Sequence, residues 1–156
     1  LDRCANNSIY SSNQDNSSMT DSVRINSLSP AEYEGLLYLR DNTDKDCIIA
    51  EVRHLFNNKF FYGTAFAERR FFLEGWGYVT MEDSNSNRFE KFQREAIVER
   101  LFQLEDSSFA YLLRDKGVDY VIVYEITNPG LRLDTAVGAS VFFENEEIRI
   151  YDISEI

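Results

Sequence analysis

Histidine is almost missing from this chain: His54 is the only one in 156 residues. A histidine-based metal centre or a Ser-His-Asp triad would have to be assembled around that single ring. No serine stands in a Gly-x-Ser-x-Gly elbow, and there is no His-Glu-x-x-His. Neither phosphate-cradling glycine loop is present, whether Gly-x-Gly-x-x-Gly or Gly-x-x-x-x-Gly-Lys-Ser/Thr. No metal and no cofactor is expected. Cysteine is scarce too. Cys4 and Cys47 make no Cys-x-x-Cys and no disulfide framework, and two independent thiols are the preferred reading over a bridge between them. Basic side chains are outnumbered, 16 Lys plus Arg against 27 Asp plus Glu, for a net charge of −11. Such a chain repels phosphate backbones, so no nucleic-acid partner is expected. Long apolar runs are lacking as well. A membrane helix needs about 20 apolar residues, and runs such as Tyr120 to Tyr124 stop after a few.

What is present suits one domain behind a polar leader. Thirteen of the first 29 residues are Ser or Asn, and such a stretch buries too little apolar surface to offset its ordering entropy. Residues 1–28 read as a linker or extended segment, and 29–156 as a single α/β domain. The chain opens on Leu with no apolar signal core behind it, so it reads as a processed or excised piece of something larger.

Ser29-Pro30-Ala31-Glu32 is a capping box with proline at the first helical position, and it predicts a helix to about Asn42. Residues 47–52 read as a short buried strand, 55–67 as a short helix or irregular connection, and 70–75 as a second strand. Asp83 to Asn87 reads as a loop. From Arg88 a helical stripe follows through Phe89, Phe92, Ala96, Ile97, Leu101 and Leu104. A further helix is expected at 107–116, with Phe109, Leu112 and Leu113 inward and Gly117 as its stop. The β-branched run 118–125 is the clearest strand. Asn128-Pro129-Gly130 breaks the chain, and the end reads as a hairpin, 139–144 and 147–153, around Asn145-Glu146. Strands separated by helical crossovers favour parallel pairing. The expected fold is a small α/β sandwich of Rossmann-like type. It has a central, mainly parallel sheet, helices on both faces and a C-terminal antiparallel hairpin at the edge.

In open α/β sheets ligands bind beyond the C-terminal ends of parallel strands. The first expected strand ends in Glu51, Arg53 and His54, the second in Glu74, Trp76 and Tyr78, the third in Glu125 and Asn128. Glu51, Glu74 and His54 have the chemistry for acid–base work, Trp76 and Tyr78 for stacking on a ring, and Arg53 for clamping an anion. Set against this is a structural reading, because every such sheet has a polar edge. Trp76 between two glycines would plug the sheet's end, and Glu68, Arg69 and Arg70 would form a salt-bridged cluster pinning the turn. These positions are taken as ligand-binding candidates, and no catalytic residue is assigned. Asp44-Lys45-Asp46 matches the Asp-x-Asp of metal-dependent sugar-nucleotide transferases, but it stands at a helix-to-strand turn and reads as solvated turn carboxylates.

Three segments carry a resemblance: 65–79 (AFAERRFFLEGWGYV), 112–125 (LLRDKGVDYVIVYE) and 141–153 (VFFENEEIRIYDI). In that order and spacing the chain resembles the C-terminal extracytoplasmic α/β domain of bacterial multi-spanning membrane proteins of glycosyltransferase-like (GT-C-like) type. The likeness covers about residues 30–153. It departs at the hairpin turn, where Asn145-Glu146 stands in place of an expected Asn-Gly. The resemblance brings no catalytic residue with it, because that family's chemistry is assigned to its membrane part. It implies an accessory domain outside the cell membrane, tethered through residues 1–28 to the last membrane helix. Its partners would be the parent's own membrane-embedded part and a glycan or lipid-linked sugar. Two other readings stand beside it. One is a free-standing small-molecule or nucleotide-binding α/β protein using the strand-end cluster. The other is a protein-interaction module exposing aromatic surface. Oligomeric state is left open.

Overall fold

The structure is a computed structural model. It describes residues 28–53, 61–74 and 85–156, with 85–89 described by their backbone. The leader up to residue 27, with Cys4, lies outside the described residues, as do His54, Trp76 and Tyr78.

Helix α1 (Pro30–Asn42) begins where the capping box places it, with Ser29 Oγ accepting the Glu32 N–H at 3.0 Å. Strand β1 (Ile48–Val52) follows, then α2 (Tyr62–Ala67) and β2 (Arg70–Phe71). The chain continues through α3 (Asn85–Leu104), α4 (Phe109–Asp115) and β3 (Tyr120–Tyr124). It closes with α5 (Leu133–Val137), β4 (Ser140–Glu144) and β5 (Ile148–Asp152). The strand order is β2-β1-β3-β5-β4. β1 pairs in parallel with both β2 and β3, while β5 runs antiparallel to both β3 and β4. The sheet is therefore evenly mixed, parallel in one half and antiparallel in the other, with the hairpin supplying the second half.

Strand side chains alternate between the two faces. On one face Ile49, Ile122, Ile148 and Ile150 are buried with Leu36 and Leu39 of α1 and Ala67 of α2. On the other, Ala50, Val52, Val121, Val123 and Tyr151 are buried with residues of α3, α4 and α5. Leu28, the first described residue, is buried in the first cluster. Among the described residues no helix is long and apolar enough to cross a membrane.

Several expectations are corrected. β2 pairs over two residues only, because Phe72 and Leu73 turn into the core and Glu74 is taken up by α2. Part of the expected loop 83–87 is helix, since α3 starts at Asn85. Ser and Asn serve both loops and helix starts, so a polar run reads either way. The buried stripe of α3 runs through Lys91, Val98 and Leu101, while Phe92 is 58% and Leu104 59% exposed. Lys91 is buried and pairs with Glu95 at 3.2 Å; a buried lysine stem disguises a core-facing position as a polar one. In α4 Ala110 and Leu113 are buried and Phe109 packs partly buried against the core, as expected for Phe109 and Leu113, while Leu112 is exposed. Gly117 does stop this helix, at φ +83°. At the hairpin turn no glycine is needed. Neither Asn145 nor Glu146 takes a positive φ, and Asn145 Oδ1 accepts the N–H groups of Glu147 and Ile148, each at 3.1 Å.

Candidate functional site

After β1 the chain passes to α2, on the face covered by α1; after β3 it passes to α5, on the opposite face. Adjacent parallel strands whose connections diverge this way open a crevice at their C-terminal ends, the usual ligand position in open α/β sheets. Here that position is occupied by the protein's own side chains.

Glu51 shares the face of Ile49 and is buried. Arg53 stands just past the strand end, with its guanidinium 4.3 Å from the centre of the Tyr124 ring. Arg53 Nη2 is paired with Glu32 of α1, and its Nε lies 3.6 Å from Glu51 Oε2. The Tyr124 hydroxyl donates to Glu32 Oε1 at 3.0 Å. Among the described residues, two carboxylates, one cation and one phenol thus form a cluster between α1, β1 and β3. Burial pushes the Glu51 carboxyl up to about 7; Arg53 opposes the rise, and Glu32 and Glu74 add to it. Burial also raises the Tyr124 phenol, with Glu51 acting in the same direction. For Arg53 burial works against the charge, but Tyr124, Glu51 and Glu32 outweigh it and hold the guanidinium protonated.

Glu74 has a different task. Its carboxylate accepts the N–H groups of Gly63 at 2.6 Å and Thr64 at 3.1 Å, together with the Thr64 hydroxyl. These are first-turn groups of α2, whose N-cap residue Phe61 makes no side-chain cap of its own. Glu74 therefore caps α2 from the end of β2 and satisfies donors that the helix leaves open. Gly63 is required there, because a Cβ would lie 2.4 Å from the Phe71 ring. Burial raises the Glu74 carboxyl, and the bonds from Thr64 and Gly63 and the charge of Arg53 oppose it.

Glu125 is not part of this cluster. It falls on the other face and pairs with buried Arg149 at 2.6 Å. Arg149 also binds Glu144 at 2.8 Å and donates to the Tyr151 hydroxyl at 3.2 Å. Asn128 is buried and donates to the Phe102 carbonyl at 2.7 Å, closing the end of α3. Of the expected strand-end residues, then, Glu51 and Arg53 meet, Glu74 lies beside them as a cap, and Glu125 is separated by the sheet. Glu32 and Tyr124 complete the cluster. Sequence reading assigned Glu32 to the capping box and placed Tyr124 in the strand 118–125. The expected cluster of Glu68, Arg69 and Arg70 also takes another form. Buried Arg69 donates to the Thr43 carbonyl at 2.7 Å, to Thr43 Oγ1 at 3.0 Å and to the Arg40 carbonyl, so it ties down the end of α1 through backbone acceptors.

Two depressions flank these elements. One, of about 280 Å³, lies beside Glu74 and is bordered by Phe72, Glu90, Lys91 and Arg94; Glu51 does not line it. The other, of about 360 Å³, lies at the opposite end of the sheet beside Asp44, Asp46, Cys47 and Asp119. Asp44 and Asp46 sit in the helix-to-strand turn, exposed, as expected. Among the described residues no group of His, Cys, Asp and Glu is arranged to hold a metal ion. No family model, curated protein or solved structure matches the chain.

Proposed function

We propose that this chain is a non-catalytic accessory domain of a larger membrane-embedded, glycosyltransferase-like protein. Its mixed sheet is built as a Rossmann-like sandwich standing outside the cell membrane. There it braces the membrane part, or helps to seat an acceptor glycan or lipid-linked sugar for it. One observation carries the non-catalytic reading: the β1/β3 crevice is filled by Glu32, Arg53, Glu51 and Tyr124 bound to one another. An acid–base pair in catalysis has to reach a substrate proton directly or through one water. Carboxylates spent on a buried guanidinium and on a helix cap hold elements together instead. The three family-like segments support the parent assignment. The net charge of −11 suits a domain kept clear of anionic headgroups on a polar tether.

The test is the coding sequence upstream of Leu1. An in-frame series of apolar segments of about 20 residues is expected. An upstream frame without them overturns the reading.

A further inference from the structure

Three carboxylates stand around one guanidinium at the ends of β1 and β3, and they differ in what holds them. Glu51 is fixed in β1, which is hydrogen-bonded on both sides. Glu74 is fixed by its bonds to the first turn of α2. Glu32 sits in the first turn of α1 and is held by Arg53 and the Tyr124 hydroxyl. Among the described residues, the other ties of that turn are Ser29 Oγ bound to Glu147 and accepting the Glu32 N–H, Asn145 Nδ2 donating to the Ala31 carbonyl at 2.9 Å and to Glu34 at 3.1 Å, the Tyr33 ring edge-on to Phe66, and the burial of Leu28 and Ala31.

We propose that this cluster is a proton-operated latch on the first turn of α1. With Glu51 neutral, Arg53 and Tyr124 hold Glu32, and the turn is closed against the sheet end. With Glu51 ionised, the guanidinium is drawn to Glu51. Glu32, itself buried, is the one of the three carboxylates that neither the sheet nor the α2 cap holds, and it leaves with its turn. Among the described residues, Arg53, Glu32, Glu74 and Tyr124 are the charged and titratable groups acting on Glu51 from β1, α1, β2 and β3. The like charges of Glu32 and Glu74 oppose its ionisation, and Arg53 favours it. Because burial places the Glu51 carboxyl at about 7, the latch works close to neutral pH. It sits where residues 1–27 join the domain, so a proton at Glu51 alters that junction.

The experiment is a pH titration of the intact chain and of Glu51→Gln. In the unmodified protein the ¹³C resonance of the Glu51 carboxyl is expected to titrate near 7. Hydrogen-exchange protection of the Glu32 and Tyr33 amides, corrected for intrinsic rates, is expected to fall by up to about tenfold between pH 6 and 8. In Glu51→Gln it should stay constant within about twofold. An equal fall in Glu51→Gln, or no fall in the unmodified chain, overturns the latch. Should Glu51→Gln not fold, the unmodified chain decides: a carboxyl midpoint below 5, or a fall in Glu32 and Tyr33 protection whose midpoint differs from that of the Glu51 carboxyl, overturns the proposal, and a shared midpoint supports it.

Discussion

Removing the Glu74 carboxylate separates a structural role for this residue from a functional one by the sign of a stability change. In Glu74→Ala the N–H groups of Gly63 and Thr64 and the Thr64 hydroxyl lose their acceptor. A half-buried donor left unsatisfied costs about 1–3 kcal/mol, and loss of an N-terminal cap costs about 0.5–2 kcal/mol. Relief of the repulsion between Glu74 and Glu51 offsets part of this. The expected net loss is about 2–3 kcal/mol. With a urea m-value of about 1–3 kcal/mol/M, the unfolding midpoint followed by circular dichroism should fall by about 1 M. Glu74→Gln keeps one acceptor oxygen and should lose about 1 kcal/mol. Residues held in place for chemistry behave the other way, since replacing them often leaves stability unchanged or raises it. A Glu74→Ala protein within about 0.5 kcal/mol of the unmodified chain, or above it, refutes the cap.

Arg53→Ala leaves Glu32 and Glu51 facing each other beside the Tyr124 ring; breaking this largely buried pair should cost about 2–3 kcal/mol in urea unfolding. Glu51→Gln should be pH-selective. The folded carboxyl is raised from 4.5 to about 7, so its stabilisation is complete below 4.5 and is lost as pH rises through 7. The variant should therefore match the unmodified chain near pH 4.5 and exceed it by up to about 3 kcal/mol at pH 8, as measured by unfolding at both values. Gly117→Ala forces a Cβ onto a residue at φ +83° and should cost about 1–2 kcal/mol, a drop of a few degrees in thermal midpoint.

How far the sequence was legible follows from the range of each interaction. The Ser29 capping box, the Gly117 stop and the β-branched run of β3 are local signals, and each placed its element. β2 came out shorter than its apolar run, because a distant helix claims Glu74. α5 has five residues, too few for a periodic pattern, and went unseen. In the site, Glu51 and Arg53 were found from their place at a strand end. Tyr124 and Glu32 are 92 residues apart, so their pairing leaves no spacing to read. Glu125 was grouped at the strand-end edge without a face, for a related reason. A central strand buried on both sides shows little alternation, and nothing in the run of β3 says which face the next residue takes.

The proposed place of this domain beside a membrane-embedded parent is open to alkaline carbonate extraction of source-cell membranes, probed with an antibody raised against the domain. The expected result is a band well above 18.2 kDa that stays with the carbonate-washed membranes and is shortened by protease added outside intact cells. A band near 18.2 kDa released into the carbonate supernatant would contradict it.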